Sequence, residues 1–147
     1  SVAIQADVMD GLNVFAGFGD KGGDTTSKEY EDDHSTYGLK YTMGPVTLGY
    51  QHSEIDDNDG DGTNEDTETD ALGVAFAVNE NLTISYGYQE TEYGTGRTDQ
   101  ELTGYAIGYS MGGMTVKAQR NEGDQSVTTG STGIEVTRTE ILVGFAF

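Results

Sequence analysis

Residues 82–89 read Leu82-Thr83-Ile84-Ser85-Tyr86-Gly87-Tyr88-Gln89, in which apolar or aromatic side chains alternate without a break with small or polar ones. A period of two sends one set to each face of an extended strand, and no helical spacing fits the stretch. The same alternation runs outward in both directions. Upstream, Leu72, Val74, Phe76 and Val78 alternate with Ala71, Gly73, Ala75 and Ala77. Before them Val46, Leu48, Tyr50 and His52 alternate with Thr47, Gly49, Gln51 and Ser53, and Tyr37, Leu39, Tyr41 and Met43 with Gly38, Lys40 and Thr42. The first two stretches follow suit, with Val2, Ile4, Ala6 and Val8 against Ala3, Gln5 and Asp7, then Leu12, Val14, Ala16 and Phe18 against Asn13, Phe15 and Gly17. Downstream, Tyr105, Ile107, Tyr109 and Met111, then Met114, Val116 and Ala118, then Ile141, Val143, Phe145 and Phe147 repeat the pattern. The period predicts an all-β chain of about nine strands of roughly 8 to 11 residues, the length a tilted strand needs to cross a bilayer.

The connections alternate too. Short turns at Asp10-Gly11, Gly44-Pro45, 79–81 and Gly112-Gly113 take turns with long polar stretches at about 19–34, 54–70, 90–101 and 120–138. In an antiparallel meander this places the long loops at one end and the short turns at the other. The 26 acidic residues against 7 Lys and Arg give a net charge of −19, and all but Asp7, Asp10 and Glu80 fall in those loops or their flanks. So negative a chain repels phosphate backbones, which argues against nucleic acid as a partner. With no cysteine, disulfides, thiolate metal sites and cysteine nucleophiles are excluded together. No apolar run reaches the ~18 residues of a membrane helix. No segment at the N-terminus reads as a signal peptide.

Hydrophobic residues make up only 34% of the chain. Low hydrophobicity with high net charge usually marks disorder, yet 9 Tyr, 5 Phe and 22 Gly accompany the alternation. A soluble sandwich would bury the apolar face in a shared core. Against it, the opposite face is Gly, Ala, Ser and Thr rather than Lys and Glu, tyrosines cluster near the predicted strand ends as in a membrane-interface girdle, and every second connection is long and acidic. Apolar side chains facing lipid need no core. The expected architecture is therefore a transmembrane antiparallel up-and-down β-barrel, with residues 1–147 forming one segment and no separate domains.

With its short-turn, long-loop alternation and the terminal run Thr139-Glu140-Ile141-Leu142-Val143-Gly144-Phe145-Ala146-Phe147, the chain resembles a Gram-negative outer-membrane barrel. Tyr105-Ala106-Ile107-Gly108-Tyr109-Ser110 and the closing Val143-Gly144-Phe145-Ala146-Phe147 are similar to the C-terminal part of general diffusion porins of the alphaproteobacterial, Rhodobacter-like type. The resemblance implies a non-enzymatic outer-membrane channel that is trimeric, surrounded by lipid and lipopolysaccharide, and open to small hydrophilic solutes and ions. It also implies about 16 strands, with an inward-folded loop that narrows the pore. An odd number of strands cannot close by antiparallel pairing alone, so the chain is expected to be the C-terminal half of such a barrel, with extracellular long loops. The rival expectation is a small closed barrel or surface β-protein, whose eight-strand interior the inward Gly, Ala and Ser would leave unfilled.

The most specific local motif is Asp57-Asn58-Asp59-Gly60-Asp61-Gly62-Thr63-Asn64-Glu65-Asp66-Thr67-Glu68. It fits the calcium-loop spacing, with Asp57, Asp59, Asp61, the Thr63 carbonyl, Glu65 and Glu68 as oxygen ligands and Gly62 at the sharp turn. No helix is expected on either side, so the expectation is Ca2+ binding of low affinity, outside an EF-hand. Glu29, Glu31, Asp32 and Asp33 lack that spacing and read as surface charge. Gly17-Phe18-Gly19-Asp20-Lys21-Gly22 satisfies a phosphate-loop spacing, but no helix follows it. Alternation sends His34 inward and His52 outward, so they form no catalytic pair, and no catalytic residue is expected. Gln5, Asp7, Lys40, Gln51, Gln89, Lys117 and Gln119 are the expected pore-lining residues, and Arg97 and Arg120 are expected at or beyond the rim.

Overall fold

The computed structural model describes residues 1–21, 32–57, 66–94, 96–125 and 132–146. They form a meander of nine strands: β1 (Val2–Met9), β2 (Leu12–Lys21), β3 (Asp32–Met43), β4 (Val46–Asp57), β5 (Thr67–Ala77), β6 (Leu82–Tyr93), β7 (Gln100–Met111), β8 (Met114–Gln125) and β9 (Ile134–Phe145). Each strand pairs antiparallel with its neighbours in sequence, so one sheet runs in the order β1 to β9. Among the described residues β1 and β9 are the two edges and do not touch.

The short turns follow from their residues. Gly11, Gly44 and Gly112 take positive φ, of 77°, 56° and 59°, a region open to glycine and costly for residues with a Cβ. At Gly11 the constraint is also spatial, because a Cβ would stand 2.2 Å from the Thr42 carbonyl oxygen. That approach exists because Thr42 N–H donates to the Gly11 carbonyl at 2.8 Å, tying the first turn to β3. At 79–81 the Asn79 side chain accepts from the backbone N–H of Asn81 and of Leu82, at 2.9 and 3.0 Å, closing the turn as only a short polar side chain can.

Among the described residues no hydrophobic side chain is buried. One face instead carries a continuous apolar surface: Ile4, Leu39, Leu48, Leu72, Phe76, Ile84, Ile107, Ile141, Val143 and Phe145 are all exposed on it, with Ile107 at 46% and Ile141 at 71%. An exposed patch this large excludes a monomer in water. Lipid is the solvent that fits it, which also accounts for the low hydrophobic content of the chain.

The strands are longer at the acidic end than the apolar alternation indicates. The stretches expected as loops at 19–34, 54–70, 90–101 and 120–138 contribute 19–21 to β2, 32–34 to β3, 54–57 to β4, 67–70 to β5, 90–93 to β6, 100–101 to β7, 120–125 to β8 and 134–138 to β9. There both faces carry Thr, Ser, Asp and Glu, so the two-residue period loses its contrast while the backbone ladder continues. Tyr37, Tyr50 and Tyr88 consequently lie within the strands, where the apolar belt meets the acidic extensions, whereas Tyr41 and Tyr109 lie toward the short turns, each opposite the first residue of a strand, Leu12 and Leu82. Tyr50 and Tyr88 donate hydrogen bonds across that boundary, to Asp70 at 2.6 Å and to Glu90 at 3.3 Å.

Candidate pore wall

The register sets the second face in rows. One row crosses eight strands as Asn13, Lys40, Gly49, Gly73, Gly87, Gly104, Asn121 and Arg138, each residue opposite the next. Four adjacent strands thus meet at glycine, with a polar or basic side chain on each flank. A Cβ at Gly49, Gly73 or Gly87 would find its nearest neighbour at 3.8 to 4.0 Å, an ordinary contact. Local backbone geometry does not demand glycine there; what the glycines supply is an open lane across the wall. A trough of about 850 Å³ lies over this face, and its lining includes Lys40, Gln51, Gln89 and Asn121 together with the four lane glycines.

Toward the acidic end the next row but one is built from hydroxyls. Thr36, Ser53, Thr69, Thr91 and Gln100 stand opposite one another in turn. The Thr36 and Ser53 hydroxyls lie 2.9 Å apart, and those of Thr69 and Thr91 3.1 Å apart. Gln51 and Gln89 donate to Ser53 and Thr91, at 3.0 and 3.4 Å. Hydroxyls, amides and glycine in these rows leave polar groups on this face that water can hydrogen-bond.

All seven residues expected on this face are on it. Gln5 donates to Asn13 at 2.9 Å, and Asn13 donates to Asp7 at 2.8 Å. Lys40 is opposite Asn13, Gln51 and Gln89 flank Ala71, Lys117 is opposite Gly108, and Gln119 opposite Ala106. The structure adds Arg138 and Glu140, which pair with each other, while Gln119 donates to Glu140 at 2.6 Å. On the sequence alone both fall in a loop or its flank, although they continue the two-residue spacing back from Leu142 and Gly144. Six large apolar residues, Phe15, Ile55, Leu102, Ile134, Val136 and Leu142, share the polar face.

The acidic strand residues turn mainly the other way. Asp20, Asp33 and Asp56 stand opposite one another on the apolar side, as do Glu54, Glu68 and Glu92, and Asp70, Glu90 and Glu101. The collar continues the lipid-facing surface beyond the tyrosines, and the charge is therefore outside the wall. Arg120, expected at the rim, is on this outer face within β8, opposite Tyr105 and paired with Glu122. Arg97 covers the Tyr93 ring at 4.6 Å, beyond the end of β6. His34 faces inward opposite Gly19 and Ile55, and His52 outward opposite Tyr37 and Asp70, as the alternation requires.

Of the calcium-loop residues, Asp59, Asp61, Thr63 and Glu65 lie outside the described residues, as do Glu29 and Glu31 of the other acidic cluster. Asp57 ends β4 opposite Asp32, and Glu68 is a β5 residue between Glu54 and Glu92. The glycine-spaced run that starts at Gly17 continues β2 through Lys21, a strand where a phosphate cradle would need a turn into a helix.

A meander with a lipid-compatible outer face and a polar, glycine-laned inner one defines a transmembrane β-barrel protein. The family model described as Gram-negative porin matches residues 1–147, and the chain belongs to that family, which places it in the outer membrane. No curated protein matches it. Among solved structures it is similar to the outer-membrane expressed OmpT of Vibrio cholerae, with a TM-score of 0.66 at 16% identity, covering 96% of this chain and 53% of that one. The chain thus spans about half the length of the solved structure it matches, and at that identity the likeness concerns the fold alone.

Proposed function

We propose that the chain forms part of the wall of a non-enzymatic diffusion channel for small hydrophilic solutes and ions, of the Rhodobacter-like general diffusion kind. The observation that carries this reading is the in-register lane Gly49, Gly73, Gly87 and Gly104 beside the hydroxyl and amide rows. Unpaired strand edges are costly in a bilayer, so β1 and β9 each pair with a further strand, in a barrel of about 16. The acidic ends of the strands and their loops are extracellular. The barrel assembles as a homotrimer, and its outward carboxylates meet lipopolysaccharide phosphates through bridging divalent cations.

The channel favours cations. Within the described wall Lys40, Lys117 and Arg138 stand against only Asp7 and Glu140, so the preference arises from the carboxylates of the outward collar and the long loops, which surround the mouth and raise the local cation concentration there. In planar bilayers under a KCl gradient, the intact protein is expected to give a reversal potential of cation-selective sign. The selectivity should weaken as salt rises from about 0.1 to 1 M, because the screening length falls from ~10 to ~3 Å. Anion selectivity, or no conductance, would overturn the reading.

Calcium at Asp57, Asp59, Asp61, Thr63, Glu65 and Glu68 is a further part of the proposal, supported by their spacing. The double substitution Asp59→Asn and Asp61→Asn is expected to lower Ca2+ affinity about tenfold or more, as removal of two charged ligands should. An unchanged calorimetric titration would reduce the loop to plain charge.

A further inference from the structure

On the outward face, just past the tyrosines, a mixed set of donors converges from two strands. His52 of β4 is directly opposite Asp70 of β5, and Glu68 follows at the next outward position of β5. The imidazole Nδ1 lies 3.1 Å from Asp70 Oδ1 and 3.7 Å from Glu68 Oε1. One ligand atom from each of the three falls within 4.8 Å of the others.

The surroundings hold these groups in place. His52 is the most enclosed of the three, with 8% of its surface exposed. Its ring stacks on Tyr37 with centroids 4.8 Å apart. Asp70 also accepts the Tyr50 hydroxyl at 2.6 Å. Metal ligands are typically oriented in this way by outer groups that fix the ring plane and the carboxylate. Glu68 and Asp70 are about half exposed, so small rotations of their side chains close the set to metal-ligand distances and leave the remaining positions open to the headgroup zone. Two further facts favour a cation. The register places Glu54 and Glu92 beside Glu68, and Glu90 beside Asp70, so like charges stand directly opposite, which destabilises a sheet unless something neutralises them. The third donor is an imidazole nitrogen, which suits a borderline transition ion better than Mg2+ or Ca2+.

We propose that His52, Glu68 and Asp70 form a divalent transition-metal site of the Zn2+, Mn2+ or Co2+ class on the outer surface of the barrel, joining β4 to β5. Without metal, Nδ1–H donates to Asp70 at 3.1 Å; on binding, the metal replaces that hydrogen bond at the Nδ1 lone pair and the imidazole proton moves to Nε2. The site is separate from the calcium loop: they share only Glu68, and neither His52 nor Asp70 belongs to the loop.

The test is a calorimetric titration of the intact protein in detergent, stripped of metal, with Zn2+ alone, alongside Co2+ absorption spectra. The wild type should bind one Zn2+ at this site and give a Co2+ spectrum with imidazole coordination. His52→Ala and Asp70→Asn should each lower Zn2+ affinity about tenfold or more, as loss of one of three ligands should, with the Ca2+ titration unchanged. His52→Gln can keep a hydrogen bond to Asp70 but coordinates poorly, so it should lose Zn2+ binding even if the alanine variant fails to fold. Zn2+ binding that is absent in the wild type, or unchanged in His52→Gln, overturns the proposal.

Discussion

Replacing Ile107 with arginine is expected to destabilise the assembled barrel by about 2–4 kcal/mol, the cost of a cation on the lipid face near the bilayer midplane. Ile107 lies between Ile84 and Ala118 on the outer face, in the middle of the apolar belt. Its neighbour Ala106 points the other way, between Ser85 and Gln119, with Glu140 on the strand beyond. Ala106→Arg should therefore cost less than ~1 kcal/mol, since a lumen position keeps the guanidinium in water. Denaturant unfolding in lipid vesicles, followed by circular dichroism, measures both. Two adjacent residues with opposite outcomes report the facing of the sheet directly; equal costs would mean that the faces had been misassigned.

The second large effect concerns the open lane. Gly87→Trp is expected to lower single-channel conductance roughly twofold, by placing a large ring where four glycines leave the wall thin. The substituted backbone can accept it, because the nearest atom to a Cβ at Gly87 is 3.8 Å away. Gly73→Trp should act in the same way, whereas Tyr86→Trp, one residue along β6 and facing outward, should leave the conductance unchanged. If Gly87→Trp folded and conducted like the wild type, the lane would not border the permeation path.

Alternation made the fold legible where the two faces differ in chemistry. In β6, Ile84 and Tyr86 against Ser85 and Gly87 fix both strand and facing, and the same contrast located every residue expected on the inner face. It fails where both faces are polar: Glu54 and Ser53 in β4, or Glu68 and Thr69 in β5, offer no contrast between the faces, so eight strands, β2 to β9, continue into the stretches expected as loop. The outward acidic collar was hidden for that reason, and Arg138 and Glu140 were lost from the wall with it. The glycine lane was invisible for a different reason. Each of its glycines could be noted singly, but their alignment depends on the register of four strands. The cluster at His52 likewise depends on β4 and β5 sliding into one register, which brings together residues far apart in the chain.

Because the chain contains no cysteine, single cysteines placed along β6 give the most direct test that the hydroxyl, amide and glycine face borders an aqueous pore. With the intact protein conducting in a planar bilayer, a charged water-soluble thiol reagent is added. Cysteine at Ser85, Gly87 and Gln89 should react and change the current in a step, whereas cysteine at Ile84, Tyr86 and Tyr88 should leave it unaltered. Current changes at the outer positions, or at none of the six, would contradict the account.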